Sequence, residues 1–188
     1  MRRFYSLAVA GFLTAVVCQS AQAADAKTFV DSVAKQVLAV AQTDAPMADK
    51  EQKIEVIFSD KIDIEFIAKF VLAKHWRTAT PQQQEAYLTA YKPFVLKNYA
   101  GKLAKYSGQT YELRNARSDG EASIVTMVIH DTGRDVLVDY RIQNDKITDI
   151  VVENVSLLTT QRSEFNSIVE SQGLDYLIGR LQKAAAKN

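Results

Sequence analysis

The spacing of apolar residues changes near Thr110, and this change limits the folds that the chain can adopt. From residue 25 to about 106, apolar side chains recur every three or four residues, which is typical of helices with one buried face. From Thr110 to about 154 they alternate with polar residues, which is typical of strands. After Ser156 the helical spacing returns. The pattern predicts an α+β protein with helices before and after one sheet.

Four strands are predicted in the alternating segment, over residues 110–117, 121–130, 134–143 and 146–154. The connections between them are short and rich in Asp, Asn and Gly, so consecutive strands are expected to pair antiparallel. Two C-terminal helices are expected to close the fold.

The longest predicted helix runs from Pro81 to Tyr106, and we expect it to cover one face of the sheet. Thr80 is its predicted N-cap, with proline at the first helical position and Gln83 three residues after the cap. Pro93 lies inside this helix and lacks a backbone donor, so we expect a bend there.

The first 23 residues are predicted to be a secretory signal peptide. Two arginines precede an apolar run over residues 7–17, and the triplet Ala-Gln-Ala at 21–23 matches a cleavage site. The run is shorter than the roughly 20 apolar residues that a membrane-spanning helix needs. We therefore expect residues 24–188 to form a single domain in the periplasm of a bacterium.

The amino-acid composition excludes several kinds of functional site from the exported domain. Cys18 is the single cysteine and lies in the predicted signal peptide, which leaves the domain without disulfides, thiolate metal ligands or a cysteine nucleophile. The whole chain has 23 basic and 22 acidic residues without a basic block, so nucleic acid is not an expected partner. No motif for a metal or a cofactor is found, and neither is expected.

One arrangement of residues leaves an enzyme open as an alternative. His130 is followed directly by Asp131 at the end of the second predicted strand, and an aspartate beside a histidine can orient a general base. A surface histidine beside a turn aspartate is the more common meaning of this pair. We therefore assign no catalytic residues and keep a small α+β enzyme using His130 and Asp131 as the less favoured interpretation.

Two segments carry a family resemblance. The sequence WRTATPQQQEAY at 76–87 resembles the W-R/K-x-A-T-P-x-Q-x-x-x-[FY] entry to the long helix of the MlaC family, also called the toluene-tolerance or periplasmic phospholipid-binding family. The sequence DIVVENVS at 149–156 resembles that family's D-V-x-x-E-G-V-S segment. Asn154 stands where the family usually has glycine, and asparagine also tolerates left-handed backbone.

The resemblance implies a function without chemistry on the ligand. It implies a periplasmic carrier that holds the acyl chains of a diacyl phospholipid between helices and sheet. It also implies two kinds of partner, an outer-membrane lipoprotein complex and an inner-membrane ABC transporter with an MCE-domain protein. Such a carrier would maintain the lipid asymmetry of the outer membrane. Carriers of hopanoids or other amphiphiles share this architecture and stay open as an alternative, as does an interaction protein with a packed interior.

The cavity of such a carrier is expected to have an apolar wall built from the helical stripe and from one face of the sheet. The helix positions follow from their spacing, whereas the strand positions depend on a choice of face that a slip of one residue would reverse. The predicted lining residues are Ile67, Val71, Trp76, Tyr91, Val95, Tyr99, Leu103, Val128, Val138, Tyr140 and Val152.

Overall fold

Helices and one antiparallel sheet make up the fold, as the apolar spacing predicted. The structure is a computed structural model that describes residues 14–106, 108–131 and 133–187. Its helices are α1 (Thr14–Ala41), α2 (Met47–Lys61), α3 (Ile64–Leu72), α4 (Lys74–Thr78), α5 (Pro81–Leu103), α6 (Leu157–Gln172) and α7 (Leu174–Lys187). Its strands are β1 (Thr110–Asp119), β2 (Ala122–Asp131), β3 (Arg134–Gln143), β4 (Lys146–Val152) and β5 (Val155–Ser156).

The sheet is a meander in which each strand pairs antiparallel with the next, in the order β1-β2-β3-β4-β5. The α+β class is confirmed, and the sheet has five strands where four were predicted. The predicted fourth strand is divided by a turn at Glu153 and Asn154, whose φ angles are 49° and 65°. Because both residues adopt left-handed backbone, the chain reverses there and Val155 pairs with Val152.

Helix α5 begins as its sequence predicted. The Thr80 side chain accepts a hydrogen bond from the Gln83 backbone N–H, and the Gln83 side chain accepts one from the Thr80 backbone N–H, so the capping box is confirmed. The helix ends at Leu103, three residues before the predicted end, and Pro93 lies inside it. The bend expected at Pro93 stays a prediction.

Helix α1 lies directly on the sheet. It packs on β1 and β2, where Ala26 and Val30 join Val125, Met127 and Ile142 in one apolar cluster. Helix α5 packs instead against α2, α3 and α7 and belongs to a second, larger cluster of helical side chains. Its residues Tyr99 and Leu103 face Ile150 of β4 across a shared cavity, so the structure adds α1 to the expected cover of the sheet. Periodicity identifies a buried face but not its partner.

Helix α1 spans the predicted signal cleavage position between Ala23 and Ala24. Of the predicted signal peptide, residues 1–13 lie outside the described residues, and the cleavage stays a prediction. Over the described ranges, no helix is both long enough and apolar enough to cross a membrane.

Ala73, which joins α3 to α4, has an unfavourable backbone conformation with φ 52° and ψ −121°. Such a conformation costs a residue with a Cβ roughly 1–3 kcal/mol, and glycine adopts it without that cost. Glycine also has greater backbone entropy in the unfolded chain, which offsets part of this gain. We therefore expect Ala73→Gly to raise the free energy of unfolding, measured by urea denaturation, by a net amount of about 1 kcal/mol.

The matched control for this prediction is Ala39→Gly, at an exposed position inside α1. There the same change is expected to lower the free energy of unfolding by about 0.5–1 kcal/mol, because glycine has poor helix propensity. Equal destabilisation by both variants would show that Ala73 is not strained.

Candidate binding cavity

The first cavity, called cavity A here, lies between α1, the end of α5 and the inner face of the sheet. The space between atoms at cavity A is about 740 Å³, which includes open solvent at its mouth. Its lining is aliphatic and aromatic over most of its area. The lining residues are Val30, Val33, Ala34, Val37, Leu38, Phe58, Ile62, Leu103, Tyr106, Gln109, Thr110, Tyr111, Met127, Ile129, Tyr140, Ile147 and Ile150.

A second cavity, cavity B, lies between α3, α5, α6 and β4. The corresponding space between atoms, open solvent included, is about 580 Å³. Its lining residues are Phe58, Ile62, Ile67, Tyr91, Val95, Tyr99, Leu103, Ile147, Thr148, Asp149, Ile150, Leu157, Leu158 and Gln161. Five side chains line both cavities, namely Phe58, Ile62, Leu103, Ile147 and Ile150. The two cavities therefore adjoin, and these five side chains form their common wall.

The inner face of the sheet follows from the strand register. Directly opposed residues in antiparallel strands project to the same face. Val125 opposes Tyr140, which opposes Ile150, and Met127 opposes Val138. Because Met127, Tyr140 and Ile150 line cavity A, all five of these residues belong to the inner face.

The polar lining residues of cavity A are concentrated in one segment. Tyr106 and Gln109 come from the connection between α5 and β1, Thr110 and Tyr111 are the first residues of β1, and Thr110 is exposed. Among the lining residues that the structure describes, none of cavity A carries a charge. Cavity A is thus apolar inside and polar where the α5–β1 connection meets solvent, which suits a ligand with a hydrocarbon body and a polar end.

A hydrogen bond beside cavity A joins α1 to the sheet. Tyr111 Oη donates to Asp31 Oδ1 at 2.8 Å, and Lys35 Nζ lies 2.6 Å from Asp31 Oδ2. The contact with Lys35, and to a lesser extent the bond from Tyr111, lowers the pKa of the Asp31 carboxyl. Desolvation, and to a lesser extent the bond to Asp31, raises the pKa of the Tyr111 hydroxyl to about 12. The Tyr111 hydroxyl therefore stays protonated and donates throughout the physiological pH range.

Two tyrosines of α5 are buried in the helical core, and one of them, Tyr91, lines cavity B. Tyr91 is fully buried and donates its hydroxyl to Gln161 Oε1 on α6 at 2.5 Å. Tyr87, one turn earlier, donates to the Ala68 carbonyl of α3 at 3.0 Å. Burial raises the pKa of both hydroxyls well above the usual range. These bonds tie α5 to α6 and to α3, the helices on either side of it.

Asp149 fixes the start of α6 beside cavity B. Its Oδ1 accepts hydrogen bonds from the backbone N–H groups of Ile150 at 2.7 Å and Leu158 at 3.2 Å, and its Oδ2 accepts from the Ser156 hydroxyl at 2.7 Å. Ser156 in turn caps α6 by accepting from the Thr159 backbone N–H. The carboxylate is therefore committed to holding β4 and α6 together.

The family follows from a comparison with known protein families. The model of the MlaC family, described as "MlaC protein", matches residues 30–183. The chain belongs to the MlaC family. The match covers every residue that lines cavities A and B, and the resemblance seen in the sequence is confirmed.

Two curated relatives of the MlaC family share low identity with the chain. The "Intermembrane phospholipid transport system binding protein MlaC" of Haemophilus influenzae is 21% identical over 136 residues, which is 67% of this chain and 64% of that protein. The "Toluene tolerance protein ttg2D" of Pseudomonas putida is 24% identical over 126 residues, which is 63% of this chain and 59% of that protein. The matched region thus spans less than two thirds of either relative.

A solved structure shares the fold over most of its length. The phospholipid-binding protein from Ralstonia solanacearum, determined in complex with a phospholipid, superposes with a TM-score of 0.75. Its sequence is 22% identical, and the superposition covers 86% of this chain and 97% of that chain. This likeness supports the α+β architecture seen here.

The MlaC-family segment at 149–156 has a structural explanation in this chain. Asp149 and Ser156 are bonded to each other at the start of α6, as described above. Between them, Glu153 Oε1 accepts from the Leu137 backbone N–H at 2.6 Å, and Asn154 takes the left-handed conformation expected of it. The segment therefore makes the turn that connects the sheet to the C-terminal helices.

Six of the predicted lining residues line the two cavities. Ile67, Tyr91, Val95 and Tyr99 line cavity B, Tyr140 lines cavity A, and Leu103 lines both. Burial, with a smaller contribution from Asp149, raises the pKa of Tyr99. Whether these six contact a ligand stays a prediction.

The other five predicted residues lie elsewhere. Val71 is fully buried among the helices, and Trp76 packs half-buried against that same core, so neither lines cavity A or B. Val138 and Val152 oppose each other on the inner face without lining either cavity. Val128 opposes Leu137 and follows Met127, so its side chain lies on the outer face, one residue out of register with the cavity wall.

The largest group of lining residues missed in the sequence comes from α1. Val30, Val33 and Val37 are buried and line cavity A, together with Met127 and Ile129 of β2. The apolar spacing of α1 marks its buried face, so this signal could have found the three valines. Their placement on the sheet needed the tertiary structure.

His130 contacts a different aspartate from the one named in the catalytic alternative. His130 Nδ1 lies 2.7 Å from Asp135 Oδ1, and Asp131 Oδ1 accepts from Gln109 instead. The reason is register, because His130 opposes Asp135 on β3 whereas the adjacent Asp131 projects to the other face. The side chains of His130 and Asp135 are 40% and 62% exposed, and neither lines cavity A or B.

Proposed function

We propose that this protein is a periplasmic carrier that binds a diacyl phospholipid with its acyl chains in cavities A and B. The observation that carries the proposal is the pair of adjoining apolar cavities between sheet and helices, in a member of the MlaC family. The phospholipid bound to a structural neighbour of the same fold supports it.

A carrier is needed because the acyl chains of a phospholipid are unfavourable in water. Each methylene moved out of water contributes about 0.8 kcal/mol, so the two tails of a phospholipid amount to roughly 20 kcal/mol. A phospholipid therefore leaves a bilayer for water too rarely to cross an aqueous compartment by itself. A protein with a dry apolar interior replaces the bilayer during transit, and binding alone is enough because the lipid is released unchanged. No catalytic residue is proposed.

We further propose that the carrier moves phospholipid between the outer membrane and an inner-membrane ABC transporter with an MCE-domain protein. An outer-membrane lipoprotein complex is the proposed partner at the other end of the route. Membership of the MlaC family supports this role, as does the intermembrane transport named for the Haemophilus influenzae relative. The predicted signal peptide, removed after Ala23, supports the periplasmic location.

The proposal predicts that the purified protein carries lipid. The full chain is expressed with its own signal region, purified from the periplasm without detergent, and extracted with organic solvent. Mass spectrometry of the extract is expected to find phospholipid at about one molecule per protein, because an apolar interior retains its ligand against water.

Three outcomes separate the alternatives. Phospholipid in the extract supports the proposal, and hopanoid or another amphiphile in its place identifies a different cargo of the same fold. An extract without any lipid, equal to that of a mock preparation, contradicts the proposal and favours an interaction protein.

A further inference from the structure

The hydroxyl of Tyr140 is a polar group set in an apolar wall. Tyr140 lies on β3 on the inner face of the sheet and lines cavity A. It packs against both the α1–sheet cluster and the larger helical cluster, so it sits at the boundary between the two. Its neighbours on the inner face are Val125 and Ile150, which oppose it on β2 and β4 and have no hydrogen-bonding side chains.

The hydrogen-bond partner of this hydroxyl within the described ranges is the thioether of Met127. Tyr140 Oη lies 3.8 Å from Met127 Sδ. A thioether sulfur is a weak acceptor, and a hydroxyl removed from water without a good acceptor is unfavourable. The Tyr140 hydroxyl thus has unused capacity to donate, and a stronger acceptor brought in by a ligand would use it.

The position of the hydroxyl indicates which part of a ligand it would meet. Tyr106, one of the polar lining residues of cavity A, shares that cavity with Tyr140. Burial, and to a lesser extent this neighbour, raises the pKa of Tyr140 to about 12, so the hydroxyl is a donor at any physiological pH. In a bound lipid, the groups just below the polar end and just above the hydrocarbon are the ester carbonyls.

We propose that Tyr140 Oη donates a hydrogen bond to an acyl ester carbonyl of the bound lipid. This inference rests on the proposed function and adds a specificity to it, because it favours ester-linked glycerolipids over lipids whose chains lack a carbonyl. Tyr140 is in this sense a specificity-determining residue. The acyl chain continues past it between α1 and the inner face of the sheet.

Lipids that differ only in the linkage test this inference. Dipalmitoyl phosphatidylglycerol has two ester carbonyls, and its dihexadecyl ether analogue has none but keeps the same headgroup and chain length. Delipidated protein is offered an equimolar mixture in mixed micelles, and native mass spectrometry measures the ratio of the two complexes. A hydrogen bond of ordinary strength predicts that the wild-type protein favours the diester about three- to tenfold.

Two tyrosine-to-phenylalanine variants isolate the hydroxyl. Tyr140→Phe keeps the ring and removes the donor, so the preference is expected to fall to about one. Tyr87→Phe is the matched control, since its hydroxyl donates to the Ala68 carbonyl in the helical core and lines neither cavity. The control is expected to keep the preference of the wild-type protein. Met127→Leu, which removes the thioether but not the hydroxyl, is expected to keep or raise it.

The possible failures are distinguishable. Binding of both lipids without preference by the wild-type protein, or an undiminished preference in Tyr140→Phe, overturns the role of Tyr140 and leaves the proposed function standing. Loss of the preference in Met127→Leu also counts against the role of the hydroxyl. Binding of neither lipid by the wild-type protein overturns both proposals.

Discussion

Leu103→Glu is expected to abolish the retention of phospholipid. Leu103 lies at the end of α5 and belongs to the wall shared by cavities A and B, so one substitution places a carboxylate beside both proposed acyl chains. A charge held against hydrocarbon costs several kcal/mol, and a cost of this size lowers affinity by more than a hundredfold. Leu103 is half-buried, so the unliganded protein can turn the carboxylate toward solvent and stay folded.

Leu88→Glu is the matched control for this variant. Leu88 is also half-buried on α5 but lines neither cavity; it lies in a neighbouring groove that contains Lys92 and Lys146 and shares Ile62 and Tyr91 with cavity B. The same change there is expected to leave lipid retention near that of the wild-type protein, as measured by mass spectrometry of the organic extract. A folded Leu103→Glu protein with undiminished lipid would remove the shared wall from the proposed site.

Asp149→Ala is expected to lower the free energy of unfolding by about 3 kcal/mol in urea denaturation. The variant deletes the acceptor of three hydrogen bonds, two of which join β4 to the start of α6, and bonds to a charged group contribute about 1.5–3 kcal/mol each. The total is smaller than a simple sum because water replaces part of the lost bonding at this half-buried position. We expect α6 to be anchored less firmly beside cavity B.

Asp135→Ala provides the comparison for Asp149→Ala. Asp135 is exposed and pairs with His130, and exposed ion pairs contribute at most about 1 kcal/mol. The expected loss is therefore below that value. A similar small loss in Asp149→Ala would mean that the start of α6 is held by packing instead of by the carboxylate.

The strands were predictable almost residue by residue because each sheet connection is local. The alternation over 110–154 and the short Asp-, Asn- and Gly-rich turns set their ends, and the structure places each start within one residue of the prediction. The cap of α5 was equally local, since Thr80, Pro81 and Gln83 make their own contacts. Strand β5 was not predicted, because two residues are too few to show an alternating pattern.

The cavity was predictable only in part because it depends on contacts between distant segments. The apolar spacing along α5 correctly placed Tyr91, Val95, Tyr99 and Leu103 on a cavity wall, because helical spacing identifies the residues that share one face. Strand alternation does not say which face is the inner one, and the choice of Val128 instead of Met127 differs by a single residue. The role of α1 required knowing that it packs on β1 and β2.

In the proposed complex, acyl chains occupy the space between the sheet and the helices. A crystal structure of the protein with its co-purified lipid tests it most directly. We expect continuous hydrocarbon density in cavities A and B, in contact with Leu103 and Ile150, with the polar end of the lipid near Thr110. Density for the lipid on the outer face of the sheet, with both cavities filled by protein side chains, would contradict the claim.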